Sequence, residues 1–394
     1  MRKKILWHGD FCCNTGFNTV GENIIKRIMD KYDITVIASN YFGEPHDWNF
    51  KVYPAKKFNS DDPRYTDDMG RQRVLDELAS GDYDILFTIR DPFNVAEGQF
   101  GRAIKKLQEY KKFKWVYYFA LDIKPRKHWI DEAIALADYP VSFTKWAKNA
   151  VLEVKPNLKI DTIYHGTDLE TFKPLSRQVK RDLKRKTFDD KFVVTNVNRN
   201  ISRKDIPKTL MVFKKFHKEV PNSILYLHMR HQDLGGDFRL MAQEIGLVAG
   251  EDILWAEMDE DRMPSKERMN EIYNISDMII TTTGGEGWGL SITEAMACKV
   301  PVVAPNHTSL TEIVQGRGYL VESGTDENLW VNRGNEYFNL WCPQVNVKDM
   351  VDTMKYAYNH KEETQKLTEN AYEWVKTLSW DSIVKEWEKL FDSI

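Results

Sequence analysis

The chain is short of cysteine, of long apolar runs and of net charge, and each shortage excludes something. Cys12, Cys13, Cys298 and Cys342 are the four cysteines among 394 residues. They show no paired metal-ligand spacing and are too few to staple a chain of this size, so the expectation is a reducing, cytoplasmic compartment with no bound metal. No uninterrupted apolar stretch approaches the roughly 20 residues that span a bilayer. The first ten residues carry Arg2, Lys3 and Lys4 but only a three-residue apolar run, which reads as a first β-strand and not a signal peptide. With 56 Lys plus Arg against 59 Asp plus Glu, the formal charge is -3, which gives no global attraction to nucleic acid or anionic lipid. The local exception is Lys105, Lys106, Lys111, Lys112 and Lys114, followed by Lys124, Arg126 and Lys127, and it reads first as a solvated helix face.

What is present is an alternation of strands and helices, met twice. The length suits two domains of similar size, and 42% hydrophobic with 29% charged residues describes a globular protein. In the first half, 4–7, 33–39, 83–89, 114–120 and 139–144 read as strands, with 162–165 as a further candidate; 16–32 carries Val20, Ile24, Ile25 and Ile28 at helical spacing. The pattern restarts at 192–197 and continues with strands at 223–228, 252–255, 277–282 and 300–304, and a helix over 207–219. Apolar strands separated by helices predict α/β domains with parallel sheets covered on both faces. The predicted division is 1–170 and 171–379, with 172–189 as the connection between domains. The tail 380–394 predicts an amphipathic helix whose stripe of Ile383, Val384, Trp387, Leu390 and Phe391 packs back on the first domain.

The strongest chemical signal lies between the strand 277–282 and a helix starting near Ser291. Gly284, Gly285, Gly287 and Gly289 allow close approach of backbone to a ligand, and the helix start offers N–H groups and a positive dipole end to an anion. Glu286 and Glu294 flank this loop. Ser291 and Glu294 also fit a capping box, which competes with a ligand role for Glu294. The second signal directly follows the strand 192–197. There Arg199 and Lys204 sit five residues apart, as a fork and a point charge able to clamp a diphosphate, while Arg203 reads as ordinary loop charge.

Glu286 through Glu294 with the intervening Gly287-Trp288-Gly289-Leu290 resembles the Glu-x7-Glu signature of family 4 glycosyltransferases. The likeness continues through Glu294-Ala295-Met296-Ala297-Cys298 and Pro301-Val302-Val303-Ala304, with Tyr273–Asp277 before and Thr311–Val314 after. Asn198–Lys204 resembles a phosphate-clamp variant, and His165–Pro174 the family's linking segment. The resemblance implies a GT-B fold: two Rossmann-like domains with parallel sheets facing across a cleft. It implies a UDP- or GDP-linked sugar held chiefly by the second domain, with Arg199 and Lys204 on the diphosphate, Glu294 on the ribose and Glu286 near the transferred sugar. Gly285, Gly287, Trp288, Gly289, Leu290 and Ser291 would complete the donor site. Transfer of a hexose or pentose to a hydroxyl acceptor (a glycan, a lipid or another class) would retain configuration without a metal or other cofactor. In the first half Asn14-Thr15-Gly16-Phe17 resembles the family's glycine loop, which implies that Gly16 is a donor-binding residue. Asp122 stands where many members have histidine, and is expected to contact the sugar or the acceptor, or else to cap the next helix. Arg90 and Asp91 are further candidates for the acceptor side.

Other readings stay open at this level. A nicotinamide oxidoreductase fits the architecture but lacks the three-glycine turn after the first strand and an acidic end to the second. A nucleotide-sugar epimerase, a sugar-phosphate synthase and a catalytically silent sugar-nucleotide binder share the GT-B plan. Some resembling proteins occur in viral genomes, so a modified base in DNA is an alternative acceptor, with the lysine cluster as its phosphate contact. Residues 44–48 and 56–73 form a polar insertion expected to shape the acceptor side. Oligomeric state is not legible.

Overall fold

The computed structural model describes residues 2–57, 62, 65–256, 264–332 and 340–394. The chain divides into two compact units, Met1–Gly166 with Trp380–Ile394, and Thr167–Ser379.

The first unit holds a seven-stranded sheet: β1 (Lys4–Asp10), β2 (Asp33–Ser39), β3 (Lys51–Pro54), β4 (Ile85–Arg90), β5 (Lys114–Phe119), β6 (Tyr139–Ser142) and β7 (Asp161–Thr162), in the order β3-β2-β1-β4-β5-β6-β7. Every pairing is parallel, and Ile5, Leu6, Trp7, Leu86, Phe87, Trp115 and Tyr118 are fully buried, as expected of strands covered on both faces. The helix Gly16–Ile28 buries Val20, Ile24, Ile25 and Ile28, the spacing read from sequence. The terminal helix Trp380–Ser393 buries Trp380, Ile383, Val384, Trp387 and Phe391, with Leu390 at the edge of the stripe. Trp387 is wedged between Phe87 and Tyr118, with centroids 5.1 and 4.6 Å away. Asp381 pairs with Arg27 at 2.6 Å and Asp392 with Lys31 at 2.7 Å, at the two ends of the contact.

The second unit holds a six-stranded parallel sheet: β8 (Phe192–Val197), β9 (Ser223–His228), β12 (Ile253–Trp255), β13 (Met278–Ile280), β14 (Val302–Pro305) and β15 (Tyr319–Val321), ordered β12-β9-β8-β13-β14-β15. Two antiparallel ribbons accompany it, β10 (Gln232–Asp233) with β11 (Gly236–Asp237), and β16 (Trp330–Asn332) with β17 (Trp341–Pro343). Both large sheets are doubly wound: the chain reverses direction of growth between β1 and β4, and between β8 and β13. Ligands of open α/β sheets gather at the carboxyl ends of strands beside such reversals.

Two expectations need correction. Residues 172–189 are not a connection. Arg177–Phe188 is a helix of the second unit whose Leu183 and Phe188 pack on Val193, Ile224 and Ile275. The preceding segment is pinned by Lys173 N–H to Asn270 Oδ1 at 3.1 Å and Leu175 N–H to Asn274 Oδ1 at 2.8 Å. Charge density suggested a linker because only one narrow face of this helix is apolar. The candidate strand 162–165 shortens to Asp161–Thr162. In the polar insertion, 58–61, 63 and 64 lie outside the described residues, and Trp48 packs on Phe11 and Phe50.

Candidate functional site

The order β8-β13-β14 lines up three loops at one carboxyl edge of the second unit. Residues 198–205 follow β8, 281–289 follow β13, and 306–308 follow β14, so the glycine loop lies in the middle and is held from both sides. On the β8 side, the Gly284 N–H donates to Arg203 O at 2.6 Å, and Arg203 Nη1 donates to Gly285 O. Thr282 Oγ1 reaches Lys204 O at 3.1 Å and Asp205 O at 2.9 Å. On the β14 side, Ser309 Oγ donates to Glu286 O at 2.7 Å and to Trp288 O at 3.1 Å.

Glu286 is the electrostatic centre. Its Oε1 accepts from Lys204 Nζ, and Arg203 Nη1 lies 3.7 Å from Oε2. The three side chains are mostly buried, with exposures of 10% for Lys204, 14% for Arg203 and 13% for Glu286. Burial alone would raise the Glu286 carboxyl, but the two cations outweigh it and hold the group below the usual carboxylate range. Both cations thus converge on one carboxylate, in the loop that leads into the N-terminus of the helix Leu290–Ala297. That is an anion-accepting arrangement.

Gly289 precedes this helix with φ +101°, a conformation that side-chain-bearing residues seldom adopt. Gly284 is packed under β17, where a Cβ would lie 3.2 Å from Cys342 Cβ. No side chain caps the helix: Gly289, not Ser291, is the N-cap, and the capping box does not form. Glu294 instead accepts from Tyr273 Oη at 2.7 Å. Its low-polarity surroundings raise the carboxyl to about 7, with Lys266 opposing and Asp168 reinforcing the shift. A raised carboxyl favours folding while protonated. The protein is therefore expected to lose stability as pH climbs from the unfolded value near 4.5 through about 7, and Glu294→Gln to flatten that slope in thermal unfolding. No change in the slope on substitution would contradict the assignment.

The other expected site residues fall as follows. Gly287, Gly289, Leu290 and Ser291 are partly exposed along the same edge as Glu286 and Glu294, whereas Gly285 is buried. Trp288 is also buried, at 3% exposure, with its ring 6.4 Å from Trp374. Arg199 turns away to Asp233 on β10, with Nε–Oδ2 2.8 Å and Nη2–Oδ1 3.3 Å. The cation beside Lys204 at Glu286 is Arg203, read from sequence as ordinary charge. The single turn Ser202–Lys204 carries both neighbours to the same carboxylate, a geometry that residue spacing does not disclose.

Gly16 and Asp122 belong to the first unit. Gly16 is exposed as the first residue of its helix, whose N-cap Thr15 accepts from Asn18 N–H at 3.1 Å. Asp122 follows β5 and is partly exposed; it does not cap the next helix, Lys127–Glu132, which has no side-chain cap. Arg90 does not line an open surface: it is 3% exposed and paired with Asp10 at 2.8 Å. Asp91, partly exposed, occupies the N-cap position of Pro92–Ala96 without a side-chain cap bond. In the lysine cluster, Lys105 pairs with Asp138, Lys124 with Glu153 and Lys127 with Asp131, so much of its charge is already answered.

Among the described residues no three His, Cys, Asp or Glu side chains gather as a metal site, and no helix is long and apolar enough to cross a membrane. All four cysteines are free thiols.

Residues 262–336 match the family model described as glycosyl transferases group 1. N-acetyl-alpha-D-glucosaminyl L-malate synthase of Bacillus anthracis is 27% identical over 177 residues, a match spanning 43% of this chain and 42% of the relative. Among solved structures, Anabaena HepE in complex with UDP and glucose superposes with a TM-score of 0.74 at 16% identity, covering 100% of both chains. Sucrose-phosphate synthase of Thermosynechococcus elongatus gives 0.73 at 16% identity, covering 100% of this chain and 99% of the other. The chain therefore has the GT-B fold, and its glycine loop lies inside the stretch that matches the glycosyl transferases group 1 model.

Proposed function

We propose that the chain is a retaining, metal-independent glycosyltransferase of the family 4 kind, moving a hexose or pentose from a UDP- or GDP-sugar to a hydroxyl acceptor. The observation that carries this reading is the convergence of Lys204 and Arg203 on Glu286, in the loop that leads into the helix at Leu290. The UDP in the HepE complexes supports a nucleotide-diphosphate donor. The four free thiols fit a reducing, cytoplasmic setting.

In this reading Lys204 and Arg203 hold the diphosphate, with the N–H groups of Leu290 and Ser291 at its other side. Glu294 takes the ribose hydroxyls, and Glu286 orients the transferred sugar. Arg199 holds the β10–β11 ribbon over this loop and does not itself clamp phosphate. During transfer the bond between the anomeric carbon and the diphosphate oxygen breaks, and its electron pair leaves with the nucleotide. The acceptor oxygen bonds to the same face of that carbon, and its proton passes to the leaving diphosphate oxygen. Fixed cations and helix N–H groups stabilise the charge that develops there without reorganising. Gly16 is taken as a donor-binding residue and Asp122 as a contact of the sugar or the acceptor, as the family resemblance implies.

A mass-spectrometric screen of UDP-, GDP- and ADP-sugars, with and without hydroxyl acceptors, tests the proposal. One donor is expected to be consumed with release of its nucleoside diphosphate. Consumption of none, or conversion of the sugar without release of the nucleotide, would overturn it in favour of a silent binder or an epimerase.

A further inference from the structure

Thr308 is a β-branched residue held at φ +52°, where such side chains are rarely found. Strain of this kind persists only where the surroundings over-determine it, and it gathers at functional loops. The surroundings here are specific. Thr308 Oγ1 accepts from the Glu286 N–H at 3.1 Å and lies 3.2 Å from His307 Nδ1. His307 Nε2 lies 2.9 Å from Thr283 O.

The proton positions follow from these partners. Burial drives the His307 ring down to about 4, so it is neutral near pH 7 and carries one N–H. A carbonyl oxygen can only accept, which places that N–H on Nε2, toward Thr283. Nδ1 is then an acceptor, and the Thr308 hydroxyl donates to it. The same hydroxyl is thereby oriented to receive the Glu286 N–H. Donation runs one way, from Glu286 to Thr308 to His307 to Thr283, and ties both shoulders of the glycine loop to the β14 loop. Ser309 fixes the carbonyl of Glu286 from the same side.

We propose that His307 and Thr308 are positioning residues for Glu286, using a hydrogen-bonded imidazole and a threonine at positive φ to fix the backbone from which the Glu286 carboxylate projects. The inference rests on the glycosyltransferase reading for its consequence, but the clamp is testable apart from it. Thr308→Gly removes the hydroxyl and also relieves the positive-φ strain, so a merely structural role predicts an equal or higher Tm and unchanged turnover. The clamp predicts a Tm no lower than wild type with kcat reduced about tenfold and donor KM within about twofold, because loosened alignment costs rate more than ground-state binding. Thr308→Ser, which restores the hydroxyl, is expected to recover kcat to within about twofold.

Amide hydrogen exchange at Glu286 reads the clamp directly, with exchange in Thr308→Gly about tenfold faster than in wild type and restored in Thr308→Ser. Unchanged kcat together with unchanged Glu286 exchange would overturn the proposal. A wild type that binds neither UDP nor GDP in calorimetry fails the functional reading on that titration, while the exchange arm still judges the clamp.

Discussion

Lys204→Ala is expected to lower kcat/KM for sugar transfer by about 10²- to 10³-fold, the scale on which loss of one preorganised electrostatic partner usually registers. The same substitution should destabilise the protein by about 3 kcal/mol, because it leaves the mostly buried Glu286 carboxylate without its nearest cation. Arg203, 3.7 Å away, remains to answer part of that charge, which keeps the loss near the lower end for a broken buried pair. The two effects separate in a cycle with Glu286→Gln. In the double variant no unpaired carboxylate remains, so much of the stability should return, whereas the diphosphate still lacks its cation and turnover stays low. Chemical unfolding and donor turnover measured on the same four proteins read both. Near-normal turnover in Lys204→Ala would remove Lys204 from the diphosphate site.

The second large effect lies in the first unit and concerns stability. Asp10 and Arg90 end the adjacent strands β1 and β4 and pair at 2.8 Å, each side chain 4% exposed. Among the described residues Arg90 Nε and Nη2 have no hydrogen-bond partner, and Asp10 is the carboxylate paired with this buried charge. Asp10 also accepts from Thr15 Oγ1 at 2.8 Å, which orients the hydroxyl that caps the helix Gly16–Ile28. Asp10→Ala is therefore expected to cost about 3–5 kcal/mol, with a further cost of up to about 1 kcal/mol from the disturbed cap. Removing both charges, as Asp10→Ala with Arg90→Met, should recover most of the loss, since an apolar replacement leaves no buried ion unpaired. Thermal unfolding of the first unit's transition is the readout. A single variant within about 1 kcal/mol of wild type would show that Arg90 is not held by Asp10.

The two cases also show how far residue order reaches. The strands Asp33–Ser39, Phe192–Val197 and Ser223–His228 match their expected bounds, because each is an apolar run with a sharp polar edge. Two α/β domains are legible because βα alternation restarts after residue 190, the GT-B plan is what the family resemblance implies, and the glycine loop stands out by its four glycines. What residue order does not disclose is side-chain orientation. Arg199 and Arg203 are equivalent as residue types, and the β10–β11 ribbon, with Asp233 on it, is what turns Arg199 away. The Ser291–Glu294 capping box has the right spacing, but the N-cap is Gly289, two residues before Ser291, which already lies inside the helix. The burial of the Trp288 ring beside Trp374, 86 positions later, is likewise invisible in residue order. His307 and Thr308 gave no signal at all, because their role depends on the adjacency of β13 and β14. Arg177–Phe188 was obscured because a helix with one narrow apolar face reads as charged linker. Local pattern finds elements and loops, whereas partner choice is decided by chain brought in from far away.

The central claim is that the loop from Gly285 to Glu294, with Lys204 beside it, binds a nucleoside diphosphate. Titration calorimetry of wild type and Lys204→Ala with UDP, GDP and NAD tests it most directly. The account predicts that UDP or GDP binds the wild type, that Lys204→Ala weakens that binding by about tenfold or more, and that NAD gives no heat of binding. Binding of NAD alone, or nucleoside diphosphate affinity unchanged in Lys204→Ala, would contradict it.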